Sequence, residues 1–355
     1  MSLFNIEWAP LNVPLHRRLE TLTAAIWIFW LLFGEFICVF IFCALVVKGN
    51  IYIRALLVIY CIHIYRDRKA GDTGGKGQGY RWMRESKFWV YFKNYFPVDL
   101  VKTVDLSPDR NYLFASFPHG ILSTGAFANF ATSASNWKEL FPGIRSKLVT
   151  LNFHFQIPFF RIFPFSWGLA SASSNSLKAL LTASNDPKDP INRDGYTANA
   201  ATVVVGGAQE SLYCRPNNYQ VVVKKRKGFI KMALVTGAPI VPVFSFGEVD
   251  VFDQPANPPG SLLRRYQEWF KSITGMAPIM FIGRGFFQYS FGMIPRRRRI
   301  TTVIGAPLEV PHNTNPTWDE INEVHAKFIE ALIDLFETHK HKYIQDAKNV
   351  KLIIE

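Results

Sequence analysis

The sequence predicts an α/β fold: a mixed, mostly parallel sheet flanked by helices, carried behind an N-terminal membrane hairpin. Three observations carry that expectation. From about residue 97 onward, short β-branched and aromatic runs alternate with stretches of helical periodicity, as in a parallel sheet with crossover helices. Two apolar runs, 24–47 and 51–65, lie back to back near the N-terminus. With 49% hydrophobic and 19% charged residues over 355 positions, the chain is neither disordered nor fibrous and can bury one large core.

Taken in order, residues 1–23 read as a cytosolic N-terminal segment. Residues 24–47 hold a single charge, Glu35, and reach about 36 Å as a helix, enough to cross a bilayer. The run is too long and too aromatic for a cleaved signal peptide, so it is expected to remain as an anchor. The second run would be about 22 Å long, short for a full span, and Arg54 near its start can snorkel to the interface. Residues 24–65 therefore read as a transmembrane or re-entrant hairpin turning at Gly49. Glu35 and His63 each lie 14 residues from that glycine, so either they pair at similar depth or Glu35 faces a water defect or another chain. Arg17 and Arg18 before the hairpin, with Arg66, Arg68 and Lys69 after it, put both ends in the cytosol. Residues 66–96 join the glycine-rich linker "AGDTGGKGQG" to a basic, aromatic segment expected to lie on headgroups.

Residues 97–355 form the expected cytosol-facing domain. Strands are predicted at 112–117, 201–205, 219–223, 240–244, 279–282 and 301–304, and helices at 124–134, 174–182, 228–236, 261–272 and 318–340. The last helix is the clearest, because Thr317 and Glu320 form a capping box and Ile321, Val324, Phe328, Leu332, Leu335 and Phe336 recur at helical spacing. The stretch "FHFQIPFFRIFPFSWGL", 153–169, holds seven Phe or Trp residues and two prolines. It reads either as a buried connection or as a lipid-contacting lip. The run "IPRRRRIT" reads as a membrane-surface patch.

Forty Lys and Arg against 27 Asp and Glu leave a net charge of +13, which suits an anionic partner such as a membrane surface, a nucleic acid or a phosphorylated small molecule. Nucleic acid fits poorly with a bilayer-anchored chain this rich in aromatics. Cys38, Cys43, Cys61 and Cys214 make neither a disulfide framework nor a zinc spacing. GxSxG, GxxxxGK[ST], HExxH and CxxC motifs are absent, which removes elbow-type serine hydrolases, P-loop enzymes and common zinc sites. No metal and no bound cofactor are expected.

Three stretches carry candidate chemistry. In "FASFPHGILSTGAF" an apolar strand delivers His119 to its end, between Pro118 and Gly120. Ligands of α/β sheets bind beyond such ends, and an imidazole titrating near neutrality is a natural general base; a turn histidine bonded to a carbonyl is the competing reading. In "VVVGGAQESLYC" a second strand ends at Gly206 and Gly207, with Glu210 one turn on. That carboxylate can accept the other ring proton of His119, or it is a surface glutamate in a glycine turn. In "KKRKGFIKMAL" cations lead through Gly228 into a helix, an arrangement that suits phosphates and equally a solvated basic turn or lipid headgroups.

Together these residues resemble the diacylglycerol acyltransferase type 2 and monoacylglycerol acyltransferase family, which includes wax alcohol acyltransferases. The matching stretches are "YFPVDLVKT", "FPHGILSTGAFANF", "FPGIRSKLVTL", "VVVGGAQESL", "RKGFIKMALVTGAPIVPVFSFGE", "FIGRGFF" and "ITTVIGAPLEVP", in family order over about residues 66–340. The family's usual signature is His-Pro-His-Gly; here Phe117 holds the first position, so only His119 carries over as base.

The resemblance implies a glycerolipid-acyltransferase-like domain over 97–355 that moves a fatty acyl group from acyl-CoA, a co-substrate, to diacylglycerol or monoacylglycerol. Triacylglycerol and related neutral lipid would form at the endoplasmic reticulum membrane and on lipid droplets. In that reading His119 is the base and Glu210 stabilises its imidazolium, with backbone N–H groups near Gly120 or Gly207 holding the oxyanion. Phe117, Pro118, Gly120, Gly206 and Gly207 border the substrate, while Arg226, Lys227, Gly228 and Phe229 take CoA phosphates. Arg284 in "GRG" is structural or phosphate-binding. A wax synthase acting on long-chain alcohols and a catalytically weak lipid-binding droplet protein are the alternatives, and a homo-oligomer is compatible with all three.

Overall fold

The structure, a computed structural model, describes residues 6–77, 79–192, 194–274 and 278–355. Seven strands form one sheet: β1 (Val98–Lys102), β2 (Tyr112–Phe117), β3 (Ile144–Thr150), β4 (Ala170–Ser171), β5 (Ala198–Val204), β7 (Ile240–Phe246) and β8 (Ile300–Ile304). Their order is β1-β8-β7-β2-β5-β3-β4, and every pairing is parallel except β7 with β8. Two short strands, β6 (Gln220–Val221) and β9 (Ile353–Ile354), pair in parallel apart from it. The mixed, mostly parallel α/β architecture is the predicted one.

Both faces of β2 are covered, which is why all six of its residues are buried and read as a continuous apolar run rather than an alternation. One face packs against the helices Gly228–Thr236 and Trp318–Tyr343: Phe336 lies 5.0 Å from Phe244, and Phe117 lies 6.2 Å from Phe328. The Thr317–Glu320 capping box that begins the long helix is present as the sequence predicts. On the other face Phe114 meets Phe130 and Trp137. There the predicted helix at 124–134 is a helical turn, Thr124–Ala126, running into a π-turn, Phe127–Ala131.

The structure refines several local expectations. Within the segment expected on headgroups, the helix Lys87–Tyr95 buries Trp89, Phe92 and Tyr95 in the core, aromatic area of that size being held by packing, while Tyr80, Trp82 and Val90 stay exposed. The predicted strand at 279–282 is an isolated bridge, Asp253 to Ile282. Within the basic run Arg296, Arg297 and Arg299 pair with Asp253, Glu20 and Asp99, while Arg298 and Arg299 stay exposed. The sequence also passes over β1, β3, β4 and β9.

The hairpin consists of α1 (Leu15–Lys48) and α2 (Ile51–Arg66). α1 is long and apolar enough to cross a membrane, whereas α2 reaches only about 24 Å. The N-terminal half of α1 packs on the domain, with Trp27 4.9 Å from Phe92. Glu35 pairs with His154, not with His63, which is exposed. The cause is the aromatic stretch 153–169, which folds back onto the hairpin. Phe163 lies 4.3 Å from Trp30, Phe159 stacks on Tyr60 at 5.2 Å, and the Phe159 N–H donates to the Tyr60 hydroxyl at 2.8 Å. Most of that stretch is thus a buried connection.

Candidate active site

β2, β5 and β7 are adjacent and parallel, so their carboxyl ends meet at one edge of the sheet. β2 delivers Pro118, His119 and Gly120; β5 leads through Gly206 into a short helix, Gly207–Ser211; β7 leads through Gly247 to Glu248. Ligands of open α/β sheets bind at such an edge.

His119 is half-buried there. Its Nδ1 lies 2.8 Å from Ser211 Oγ and 3.2 Å from the Gly120 carbonyl. The tautomer with the proton on Nδ1 satisfies that carbonyl, which only accepts, and leaves Nε2 its lone pair. Burial lowers the imidazole pKa below its ordinary value, opposed by the Gly120 carbonyl, so the neutral, basic form prevails near neutral pH.

Glu210 sits differently from the expectation. Its carboxylate does not reach the ring: one oxygen accepts the backbone N–H of His119 and the other that of Val222 at 2.8 Å. The reason is position, since the short helix brings Glu210 under the turn and leaves Ser211 beside the imidazole. Burial raises the Glu210 pKa to about 7, against the two N–H donors and nearby Arg226. Gly206 is required for this approach, because a Cβ there would collide with the Glu210 carboxylate.

A second buried carboxylate, Glu248, accepts the N–H groups of Thr124 and Gly125, both at 2.7 Å. Burial raises its pKa to about 8 against those same donors. A Cβ on Gly120, whose φ is +62°, would lie 2.7 Å from Glu248 Cγ. The turn 119–125 is thus gripped at one end by Glu210 and at the other by Glu248. Sequence reasoning missed Ser211 and Glu248. Each left a signal: Ser211 follows Glu210 in "GGAQES", and Glu248 closes the stretch "VPVFSFGE" at a strand end.

The other candidates divide. Gly207, with φ +59°, opens the short helix beside the cluster. Arg226 reaches the Gly206 carbonyl at 3.5 Å, and Lys227 binds Asn322 at 2.6 Å ahead of the helix beginning at Gly228. Phe117, Pro118 and Phe229 are buried, and Phe117 and Phe229 pack on Phe328. Arg284 stands outside the cluster, bridged to Ile294 and stacked 4.2 Å over Tyr289.

Fold and site together define an α/β protein whose titratable groups gather at the carboxyl edge of a mixed sheet. Residues 47–355 match the family model described as diacylglycerol acyltransferase. The chain is 42% identical over 339 residues to 2-acylglycerol O-acyltransferase 1 of Bos taurus, covering 95% of this chain and 96% of that protein. It is 40% identical over 348 residues to diacylglycerol O-acyltransferase 2 of Dictyostelium discoideum, covering 98% and 99%. Among solved structures, the 1-acyl-sn-glycerophosphate acyltransferase PlsC of Thermotoga maritima aligns with a TM-score of 0.32 at 11% identity, over 84% of this chain and 97% of that one. The chain belongs to the diacylglycerol acyltransferase family and is an acyltransferase.

Proposed function

We propose that this acyltransferase moves a fatty acyl group from acyl-CoA to the hydroxyl of a diacylglycerol or monoacylglycerol, with His119 as general base. The observation that carries it is the His119 ring at the sheet edge, its Nδ1 engaged by the Gly120 carbonyl and Ser211 and its Nε2 left as the basic nitrogen. Nε2 takes the hydroxyl proton as that oxygen attacks the thioester carbonyl. The tetrahedral intermediate collapses, the C–S bond breaks and CoA leaves as thiolate, taking the proton back from the imidazolium. The backbone N–H groups of His119, Thr124 and Gly125 are already bonded to carboxylates. Those of Gly120 and Gly207 are the remaining oxyanion donors. Arg226, Lys227 and the start of the helix Gly228–Thr236 face the CoA phosphates.

The acceptor is membrane-dissolved, and the hairpin suits that supply. Phe29, Phe36, Phe40, Val47, Ile51 and Leu56 are exposed on it, apolar area that a bilayer of the endoplasmic reticulum or a droplet surface would cover. The test is microsomal expression with labelled acyl-CoA and monoacylglycerol, diacylglycerol or a long-chain alcohol, wild type beside His119→Ala. Acylglycerol product from wild type, lost in His119→Ala, is expected. Turnover surviving that substitution removes the base; product from the alcohol alone makes the chain a wax synthase.

A further inference from the structure

Four arginines converge on a cavity of about 190 Å³ at the base of α1. Arg17 and Arg18 come from the first turn of that helix, Arg284 from the bridge with Ile294, and Arg297 from the approach to β8. Thr21 and Tyr289 add polar groups to the lining. Among the described residues, the carboxylate paired with any of the four is that of Glu20, buried between Arg17 at 3.2 Å and Arg297. Arg18 bonds instead to the Pro10 carbonyl at 2.9 Å, and Arg284 to the carbonyls of Gly285 at 3.0 Å and Phe286 at 3.4 Å. Both also rest on aromatic rings, Phe287 and Tyr289. Four guanidinium charges around one small cavity against a single carboxylate repel one another unless an anion joins them.

We infer that this cavity binds a phosphate group, and that the group belongs to the headgroup of an anionic phospholipid. The inference rests on the bilayer reading above. The apolar run begins at Ala24, about 9 Å along the helix from Arg18, so the four arginines lie at the headgroup level of the leaflet that α1 enters. The volume suits the chemistry: a water occupies about 30 Å³, so a phosphate and part of its glycerol fit. Arginine forks match phosphate oxygens in pairs. Bound there, the headgroup would tie the base of α1 to the 284–297 segment and so fix the domain against the leaflet. CoA phosphates offer the same chemistry from solution, and the experiment separates the two.

The full chain, purified in neutral detergent, is titrated with phosphatidate or with phosphatidylcholine of the same acyl chains, and bound lipid is read by native mass spectrometry. One phosphatidate adduct is expected for wild type, about 30-fold weaker in Arg18→Gln/Arg284→Gln and intermediate in Arg18→Lys/Arg284→Lys, which keeps the charge and loses the fork. Thermal unfolding without anionic lipid scores the fold of each variant; should the paired glutamines fail to fold, the single Arg18→Gln at its half-exposed position makes the same comparison. Equal binding in the glutamine variants, or an equal adduct with phosphatidylcholine, overturns the site. Displacement of the adduct by soluble CoA overturns the headgroup assignment and gives the cavity to CoA. His119→Ala is expected to keep the adduct while losing turnover, so failure of the acyl-transfer reading and failure of this site are distinguishable.

Discussion

Glu210 holds His119 by its backbone and not by its ring. The His119 N–H donates to one carboxylate oxygen while the Val222 N–H donates to the other at 2.8 Å, so Glu210 fixes where the turn sits. Glu210→Gln keeps one acceptor oxygen, and Glu210→Ala orphans two buried donors, each costing about 1–3 kcal/mol. The expected order of both kcat and Tm is wild type, then Gln, then Ala. Wild-type kcat in a folded Glu210→Ala protein would remove the positioning role.

Ser211 is the side chain that meets the ring, at 2.8 Å from Nδ1. It touches no reacting atom in the proposed step, so its loss should act on kcat with KM for acyl-CoA unchanged. Ser211→Ala is expected to lower kcat about 2- to 10-fold, the rate equivalent of one ordinary hydrogen bond. A rise in KM with constant kcat would make Ser211 a substrate contact instead.

A neutral imidazole is the working form of the base, and burial pushes its pKa down. Activity should therefore climb with pH through a midpoint below about 6.5, the ordinary histidine value. The profile of kcat/KM between pH 4.5 and 8 measures this. A midpoint above the ordinary value would mean that a carboxylate, not burial, governs the ring.

How far the sequence disclosed this arrangement depended on the kind of residue. β2, the helix Gly228–Thr236 and the helix Trp318–Tyr343 were legible because apolar periodicity and a capping box are local signals. β3 was not, because Arg145 and Lys147 make it read as polar. Both are nonetheless buried, Arg145 on Asp194 and Asn192, and Lys147 on the carbonyls of Gly77 and Gly168. Partners 21 to 70 residues away leave no trace in a window of the strand. The same limit separated Glu210 from its true contact: proximity to the turn was inferable from two strand ends, but which atom it would meet depends on the pitch of a five-residue helix. Symmetry about Gly49 offered His63 as one of the alternatives for Glu35, and the aromatic stretch that supplies His154 instead lies over 100 residues downstream.

Glu248 and Glu210 should make the fold less stable as the solution becomes alkaline. Burial raises their pKa values to about 8 and about 7, above the value near 4.3 of an unfolded glutamate. Between those limits the native state holds protons that the unfolded chain has released, so unfolding free energy falls with rising pH. The stabilisation is complete below about pH 4 and is lost as pH passes through 7 and 8. Glu248→Gln keeps a neutral acceptor for one of the two N–H groups and removes the titration. Its Tm should vary less between pH 5.5 and 8.5 than that of wild type, and an equal slope in the two proteins would refute the assignment.

Phe117 occupies the position where the family signature carries its first histidine, yet its side chain lies on the core face of the sheet. It is fully buried, 6.2 Å from Phe328, which in turn lies 5.0 Å from Phe229. His119, two residues on and beyond the end of the strand, stands at the open edge. Phe117→Ala should cost about 3–5 kcal/mol as a large-to-small core change. Phe117→His fills most of the volume but buries ring nitrogens, a penalty of about 1–3 kcal/mol for each one left without a partner. The expected result for Phe117→His is a lower Tm with kcat per folded molecule within the same order of magnitude as wild type. A gain of tenfold or more in kcat would instead put the side chain at position 117 in the reaction.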